Sequence, residues 1–465
     1  MTRHDSEPST AAAGAAHPWR WRILGFLGVA QLMLILDVTV VAIALPHMES
    51  DLGLTRQAVT WTVTAYTLTF GGLMLLGGRI ADLVGARRVV LAGLAVFTAG
   101  SLVTGLAGSG GVLLGGRVAQ GLGAALLSPS ALSLVVGLFE GDERNRALGV
   151  WSALGGGGAA LGVLLGGLLT AGPGWPWVFY VNVPIGLVIL AALARLLPRQ
   201  TVTAPRPRLD VLGALLVTAS SGALIFALTR AGDHGWLTAT TGVLVLAAGL
   251  GYLAFVVRQR TARSPMMDVA LLTRRPVATG TFLILMATAL MIAVFFLGTF
   301  YFQHTRGYGA LHTGLLFLPV AVATMLGANL TGQAVGRAGA RALAVAGLLV
   351  AALGMAVPAV STHPVSVVAG TAVAGAGTGA IFVVASATAL GQVAPHESGI
   401  ASGIVSTFHE FGASLGAAVI SSVAAVSLTR DTLTGFTHGF VLAAVASAVA
   451  ALVAAALTPG RPAAA

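Results

Sequence analysis

Fourteen apolar runs, each about twenty residues long, constrain this chain more than any other feature of its sequence. They fall at roughly 23–45, 59–77, 89–107, 111–136, 147–170, 178–197, 209–229, 237–257, 276–303, 313–332, 341–361, 364–390, 399–425 and 437–457. A globular core cannot hide that much apolar surface, because cores stop growing and chains split into domains. The remaining solvent is lipid, where only helices or closed barrels satisfy every backbone polar group. The runs lack the polar/apolar alternation of barrel strands, and at 1.5 Å per residue each is long enough to cross about 30 Å of hydrocarbon. Composition agrees: 56% of residues are hydrophobic, only 9% are charged, and the mean hydropathy is +0.92. The expected fold is an all-α membrane protein.

The charges in the short loops test the count of crossings. All 25 basic residues are arginine. With the N-terminus placed in the cytoplasm and loops assigned alternately, only Arg56, Arg230, Arg306 and Arg430 fall outside, and Arg117 lies within a span. The other twenty (25 less five) fall inside, a strong positive-inside bias. A missed or invented helix would scramble every later loop, so the bias supports fourteen spans with both termini cytoplasmic. Arginines spread this way read as topology and not as a nucleic-acid face. There is no cysteine, which removes thiol and disulfide chemistry. Residues 1–22 are a polar tail, and the run after them is too long for a signal-peptide core, so a retained first helix is expected.

An internal repeat is visible at an offset of 254 residues. Gly78, Asp82, Gly85 and Arg87 align with Gly332, Gly336, Gly339 and Arg341, while Gly121 and Gly123 meet Gly375 and Gly377. Parallel repeats of this kind are a transporter architecture, with substrate bound between the halves. The expected layout is a six-helix bundle over 23–197, a Pro/Arg linker with two inserted helices over 198–275, a second six-helix bundle over 276–457, and a tail over 458–465.

Asp37, Arg117 and Glu410 are ionisable side chains well inside spans, where a charge is costly and usually faces a cavity, pairs, or binds ions. Asp37 lies about 13 Å before Pro46 and Arg117 about 9 Å past Gly111, so the two share a depth and are expected to pair. Glu410 lies about 16 Å into its span, near the midplane, with His409 beside it. A carboxyl that is dry in one state and wet or charge-paired in another can load and release a proton; a static ion pair holding two helices together is the competing reading. Gly155 to Gly158, then Gly162, Gly166 and Gly167, form a small-residue stripe suited to close helix packing, and a seam that slides. The Gly78, Asp82, Gly85, Arg87 and Arg88 loop reads as a latch or a topology anchor, and Trp175 and Trp177 as interface belt residues. No phosphate loop ends in lysine, and the histidines lack metal-ligand spacing, so neither an enzyme nor a metal site is expected.

Several of these segments, taken in order, resemble the fourteen-helix drug:proton antiporters of the major facilitator superfamily. Leu36-Asp37-Val38-Thr39 through Pro46 resembles that family's first-helix signature, with Ala42 where Asn is usual. Trp61 through Tyr66-Thr67-Leu68 fits the second helix, and Gly78 to Arg88 the following loop, with Leu83 and Ala86 in places usually basic. Arg117-Val118-Ala119-Gln120-Gly121 matches the fourth-helix motif whose Arg is linked to proton transfer. Gly158 to Gly167 resembles the fifth-helix antiporter motif, with Val163 in place of its Pro. Trp175 to Gly186 resembles the sixth-helix signature, with Pro176 where Arg is common, and Tyr301, Gln303, Gly307 and Tyr308 continue the match.

The resemblance implies two six-helix bundles with two inserted helices, alternating access, and export driven by the proton gradient without a cofactor. Its implied site residues are Asp37, Arg117, Glu410 and His409 for proton coupling, with Tyr66, Gln120, Tyr301 and Gln303 as cavity candidates. The implied partners are a small lipophilic, often cationic, substrate, protons and the lipid bilayer of a bacterial plasma membrane, with no nucleic acid and a functional monomer. A dedicated exporter of one self-made metabolite, a proton symporter for uptake, and a non-transporting sensor or scaffold are the alternatives.

Overall fold

The structure is a computed structural model that describes residues 18–139, 141–197, 209–267, 269–390, 398–424 and 433–458. Residues 1–17 of the expected tail 1–22, residues 459–465 of the expected tail 458–465 and the linker 198–208 lie outside the described residues, as do Arg3, Arg199, Arg206, Arg208, Arg430 and Arg461; the first helix already begins at Arg20, within the expected tail. No strand occurs among the described residues. The long helices of the first half are α1 Arg20–Leu52, α2 Arg56–Val84, α3 Ala86–Gly105, α4 Gly110–Leu138, α5 Gly141–Ala171 and α6 Asn182–Leu196. Two more follow, α7 Val211–His234 and α8 Ala239–Thr261. The second half holds α9 Arg275–Phe300, α10 Ala310–Ala338, α11 Ala340–Val360, α12 Pro364–Leu390, α13 Ser398–Val423 and α14 Thr434–Leu457. Among the described residues thirteen helices are long and apolar enough to cross a membrane, with α6 extended by the turn Trp177–Tyr180 and α9 by the π-turn Tyr301–Thr305. The other member of the series, α5, is 31 residues long.

The ends of α1, α2, α7 and α10 fall at capping glycines and not where hydropathy alone would put them. The first span was expected to stop near residue 45, yet α1 runs through Pro46 to Leu52. Pro46 lacks an N–H and removes one ladder bond, which neighbouring helices make tolerable in a membrane bundle. The helix ends where Gly53 adopts φ +58°, a left-handed conformation that glycine takes without steric cost. Gly307 (φ +67°) ends the α9 segment 254 residues later, and Gly85 (φ +96°) and Gly339 (φ +82°) make the equivalent tight links α2–α3 and α10–α11.

The 254-residue offset extends to contacts. A Cβ on Gly123 would lie 2.4 Å from the Phe97 nitrogen, and one on Gly377 would lie 2.5 Å from the nitrogen of Ala351. Gly100 abuts the nitrogen of Gln120 as Gly354 abuts that of Ala374. Arg87, in the second turn-link of the first half, donates to the carbonyls of Ala194 and Leu197 at the end of α6. Arg341 does the same for Thr458 after α14. A cation placed on otherwise unpaired helix-end carbonyls is favoured twice, by hydrogen bonding and by the helix dipole.

The halves meet along two seams, α2 with α13 and α5 with α10, and α7 leans on both α2 and α13 while α8 packs on α7. The face where α1 begins is here the N-face; there Arg20 pairs with Glu143 at 2.8 Å, and Thr279 bonds the Leu457 carbonyl. Across the opposite, distal face the halves are tied by Gln303, whose Nε2 donates to the Ile43 carbonyl at 2.9 Å, and by His304 Nε2 3.8 Å from Glu49. Along the α2–α13 seam the hydroxyl pairs Thr60/Ser421 and Thr67/Ser414 recur every seven residues on each helix, the spacing that keeps one stripe facing its partner. Trp175 departs from the expected lipid belt: it is 5% exposed and its indole N–H reaches Asp51, whereas Trp177 is 48% exposed. A buried Trp keeps its N–H only with such a partner.

Candidate functional site

The ionisable groups of the first half come together in one dry cluster. Asp37 sits midway along α1, and Arg117 seven residues into α4. Their side chains have no exposed surface, and Arg117 Nη1 donates to Asp37 Oδ2. Gln120, one turn after Arg117, uses all four of its hydrogen-bonding sites. Its Nε2 donates to Asp37 Oδ1 and to Ser101 Oγ, both at 2.9 Å. Its Oε1 accepts from Arg117 Nη1 at 3.0 Å and from Thr104 Oγ1 at 3.3 Å. Arg117 Nε donates to the Thr62 carbonyl of α2 at 2.8 Å. The guanidinium carbon lies 4.5 Å from the centre of the Tyr66 ring, one turn further along α2, and 5.8 Å from that of Phe179. Removing two charges from water costs several kcal/mol per ion unless geometry and further hydrogen bonds offset it. Here both carboxylate oxygens and two of the three guanidinium nitrogens are matched, and Arg117 Nη2 has no hydrogen-bond partner among the described residues.

The close approach that allows this is built by glycine. Gly121, next to Gln120, faces the Tyr66 carbonyl so tightly that a Cβ would come within 2.6 Å of it. Gly116 lets Thr104 reach the cluster, since a Cβ there would meet the threonine hydroxyl at 2.2 Å. Ser101, Thr104 and Asn182, the last 3.5 Å from Ser101, are members the sequence reading did not single out. Their signal was a polar residue in the middle of an apolar span, as for Ser101 on α3.

Glu410 is placed elsewhere, on the seam between the halves. It is 7% exposed, and its Cβ would be 2.6 Å from a Cβ on Gly71 of α2, so that glycine is the notch its stem occupies. His409 bends back so that Nδ1 is 3.2 Å from Glu410 Oε1, and its side chain is 43% exposed. Tyr66 and Gln120, expected on a cavity wall, belong to the buried cluster. Tyr301 is also buried, stacked on Phe436 and bonded to the Thr362 carbonyl and Arg306, and Gln303 bridges the halves at the distal face.

The α5 glycines line contacts with α1 and α10. Gly158 meets Ile35, Gly162 meets Thr39, Gly166 meets the Val40 backbone, and Gly167 meets Ala310 across the second seam. Gly155 to Gly157 and Val163 lie outside the described side chains. The expected loop after the second span is instead helical on both sides of Gly85, because α2 runs to Val84 and α3 starts at Ala86: in the last turns of α2 a Cβ on Gly78 would lie 3.7 Å from Pro129 and Asp82 is 3.9 Å from Arg79, while in the first turn of α3 Arg88 is exposed and Arg87 caps α6 as described.

A fourteen-helix repeat with a buried acid–arginine pair leaves one further test, likeness to known proteins. Residues 27–417 match the model of the Major Facilitator Superfamily. The chain belongs to that superfamily. It is 36% identical over 453 residues to the puromycin resistance protein pur8 of Streptomyces alboniger, covering 93% of this chain and 90% of that one. It is 38% identical to the cephamycin export protein CmcT of Amycolatopsis lactamdurans, covering 85% and 83%. The tetracenomycin C resistance and export protein of Streptomyces glaucescens is 32% identical over 90% of this chain and 78% of its own length. In fold it is similar to a crystallised peptide transporter, POT, with a TM-score of 0.66 at 18% identity, covering 94% of this chain and 96% of that one. The major-facilitator chain is a multi-pass membrane transporter and not an enzyme.

Proposed function

We propose that this protein is a proton-coupled exporter of small lipophilic molecules, antibiotics among them, working by alternating access in a bacterial plasma membrane. The observation that carries the reading is the dry Asp37–Arg117–Gln120 cluster at mid-helix depth. Both oxygens of the Asp37 carboxylate accept hydrogen bonds, one from Arg117 and one from Gln120. Protonation takes away the charge Arg117 is bound to, and with it the tie between α1 and α4. The site therefore has two packings, and their balance depends on whether a proton is bound, as transport requires of each ligand. Glu410, on the seam between the halves, is a second acid suited to the same exchange.

Charge supports an orientation with the N-face in the cytoplasm: Arg79, Arg87, Arg88, Arg258, Arg260, Arg274, Arg275, Arg337 and Arg341 lie at helix ends on that face, the arrangement a positive-inside bias favours. One charge moved across 100 mV supplies about 2.3 kcal/mol, enough for useful accumulation. Each of these relatives is named for one antibiotic, puromycin, cephamycin or tetracenomycin C, which favours a second reading, a dedicated exporter of one self-made compound. Competition among ethidium, puromycin and a tetracycline for transport separates a broad cavity from a dedicated one.

The decisive experiment uses inverted membrane vesicles with a pH-sensitive dye. Ethidium or puromycin added to energised vesicles is expected to release protons in the unmodified protein. Asp37→Asn is expected to stay in the membrane at normal amount and to lose that release. Retained release in the variant removes Asp37 from the coupling.

A further inference from the structure

We infer that Arg56 is the latch of the distal gate and that it draws the inserted helix α7 into the motion of the two halves. The inference rests on the alternating-access reading above. Arg56 is the first residue of α2, where a cation opposes the positive end of its own helix. It is nevertheless only 8% exposed. Its planar fork serves two other helices: Nη1 donates to the carbonyl and the hydroxyl of Ser421 at 2.9 Å each, and Nη2 donates to the Thr229 carbonyl of α7 at 2.7 Å. Ser421 is third from the end of α13, among the carbonyls that a helix leaves unpaired and where the dipole is negative. One side chain of the first half thus closes the distal end of a helix in the second half and binds the insertion at the same time.

The two joints of α7 at this face differ in kind. Gly232 brings α7 against the backbone of Ser422 on α13, where a Cβ would lie 2.7 Å from both the Cα and the carbonyl oxygen. Two main chains in such contact share one rigid packing. Toward α2, the close contacts of α7 are nearer the midplane, Thr218 at Gly72 and Leu68 at Gly222, while at the distal end the Arg56 fork makes the link. Hydrogen bonds from a side chain can release without repacking a core. At the distal face α7 therefore travels with α13, and the Arg56 fork is the joint that parts when the halves separate there.

The chain has no cysteine, so spin labels can be placed at will. Labelled cysteines at the exposed positions Ser50 on α1, His234 at the end of α7, His363 before α12 and Thr434 on α14 report distances by pulsed electron resonance in proteoliposomes. Arg56→Gln is expected to raise the ratio of long to short Ser50–His363 distances roughly tenfold, the equivalent of about 1.4 kcal/mol. The His234–Ser50 distance is expected to lengthen with it, while His234–Thr434 stays fixed. Arg56→Lys, which keeps the charge without the fork, is expected to shift the ratio the same way by less, and serves if the Gln form does not assemble. If the unmodified protein opens with pH or ethidium but neither variant alters the ratio, Arg56 is not the latch. If His234 stays with Ser50 and parts from Thr434, α7 belongs to the first half and the inference fails. A single Ser50–His363 distance in every variant and condition sinks the alternating-access reading itself.

Discussion

Gln120 shows how much a single side chain can decide. With two donors and two acceptors all engaged, it fixes the carboxylate of Asp37 from one side while Arg117 fixes it from the other. Its partners Ser101 and Thr104 come from α3, and Asn182 of α6 reaches Ser101, so the cluster spans four helices beside α2. A second residue-scale knot closes the insertion at the N-face. Asp210 caps α7 by accepting from the Gly213 N–H at 3.1 Å, and accepts from Arg258 at 3.0 Å and Gln259 at 2.6 Å. Burial works to raise its pKa, but the hydrogen bonds from Gly213, Arg258 and Gln259, with the Arg258 charge, bring it below the usual value of 3.8. A carboxyl lowered on folding contributes stability above the unfolded value and loses it as pH falls through the folded one. Asp210→Asn is therefore expected to lower the melting temperature of the detergent-solubilised protein at pH 7, by about 1–3 kcal/mol in stability for a buried charged partner. The gap between variant and parent should close below the folded value, in the acid range under 3.8. A gap unchanged by pH means the effect is shape and not charge.

At the scale of helices, glycine sets how near two axes come. α3 and α4 touch through Gly93, Gly100, Gly116 and Gly123, and α11 and α12 through the matching Gly347, Gly354, Gly370 and Gly377. Gly123→Ala and Gly377→Ala each force a Cβ into a backbone atom, and overpacking of this kind costs about 1–3 kcal/mol. Gly115→Ala on the same α4 has nothing within 4 Å of the new atom and is expected to be neutral. Thermal unfolding of the three variants checks the contrast; a loss at Gly115 equal to that at Gly123 would mean that lipid contact governs, and not packing between helices, since the higher helix propensity of Ala works the other way. The spans themselves were legible from hydropathy, and the repeat from Gly and Arg spacing. Ends were less so: Pro46 looked like a stop and is not, because the helix continues until Gly53 offers a left-handed residue. Trp175 read as a lipid belt residue, yet Asp51 on α1 takes its N–H into the protein. No local pattern announces a partner more than a hundred residues away.

For the molecule as a whole, the two halves share a seam whose middle and distal end should behave differently. Thr67 and Ser414 touch at mid-seam, their hydroxyl oxygens 2.6 Å apart, while Glu49 and His304 face each other across the distal face. If the halves rock about the seam, a disulfide between Thr67→Cys and Ser414→Cys is expected to leave ethidium transport in proteoliposomes largely intact. A reducible bis-thiol cross-linker joining Glu49→Cys to His304→Cys is expected to stop it until the link is reduced. Equal arrest by both cross-links argues against rocking about this axis.

The series of long apolar helices and the relation between the halves were legible in the sequence alone. Lipid accepts only long apolar helices, charged loops sort by side, and a duplicated unit keeps its glycines where two backbones must touch. Asp37 and Arg117 could be placed at a common depth for the same reason, since rise per residue is constant. Tertiary structure decided which groups each one meets: that Gln120 and Ser101 complete the acid's shell, that Glu410 falls on the seam and not beside Asp37, and that Arg56 reaches two other helices. Those outcomes depend on how each helix is rotated about its axis and packed on its neighbours. Rotation is set by contacts distant in the chain, which hydropathy and spacing do not encode.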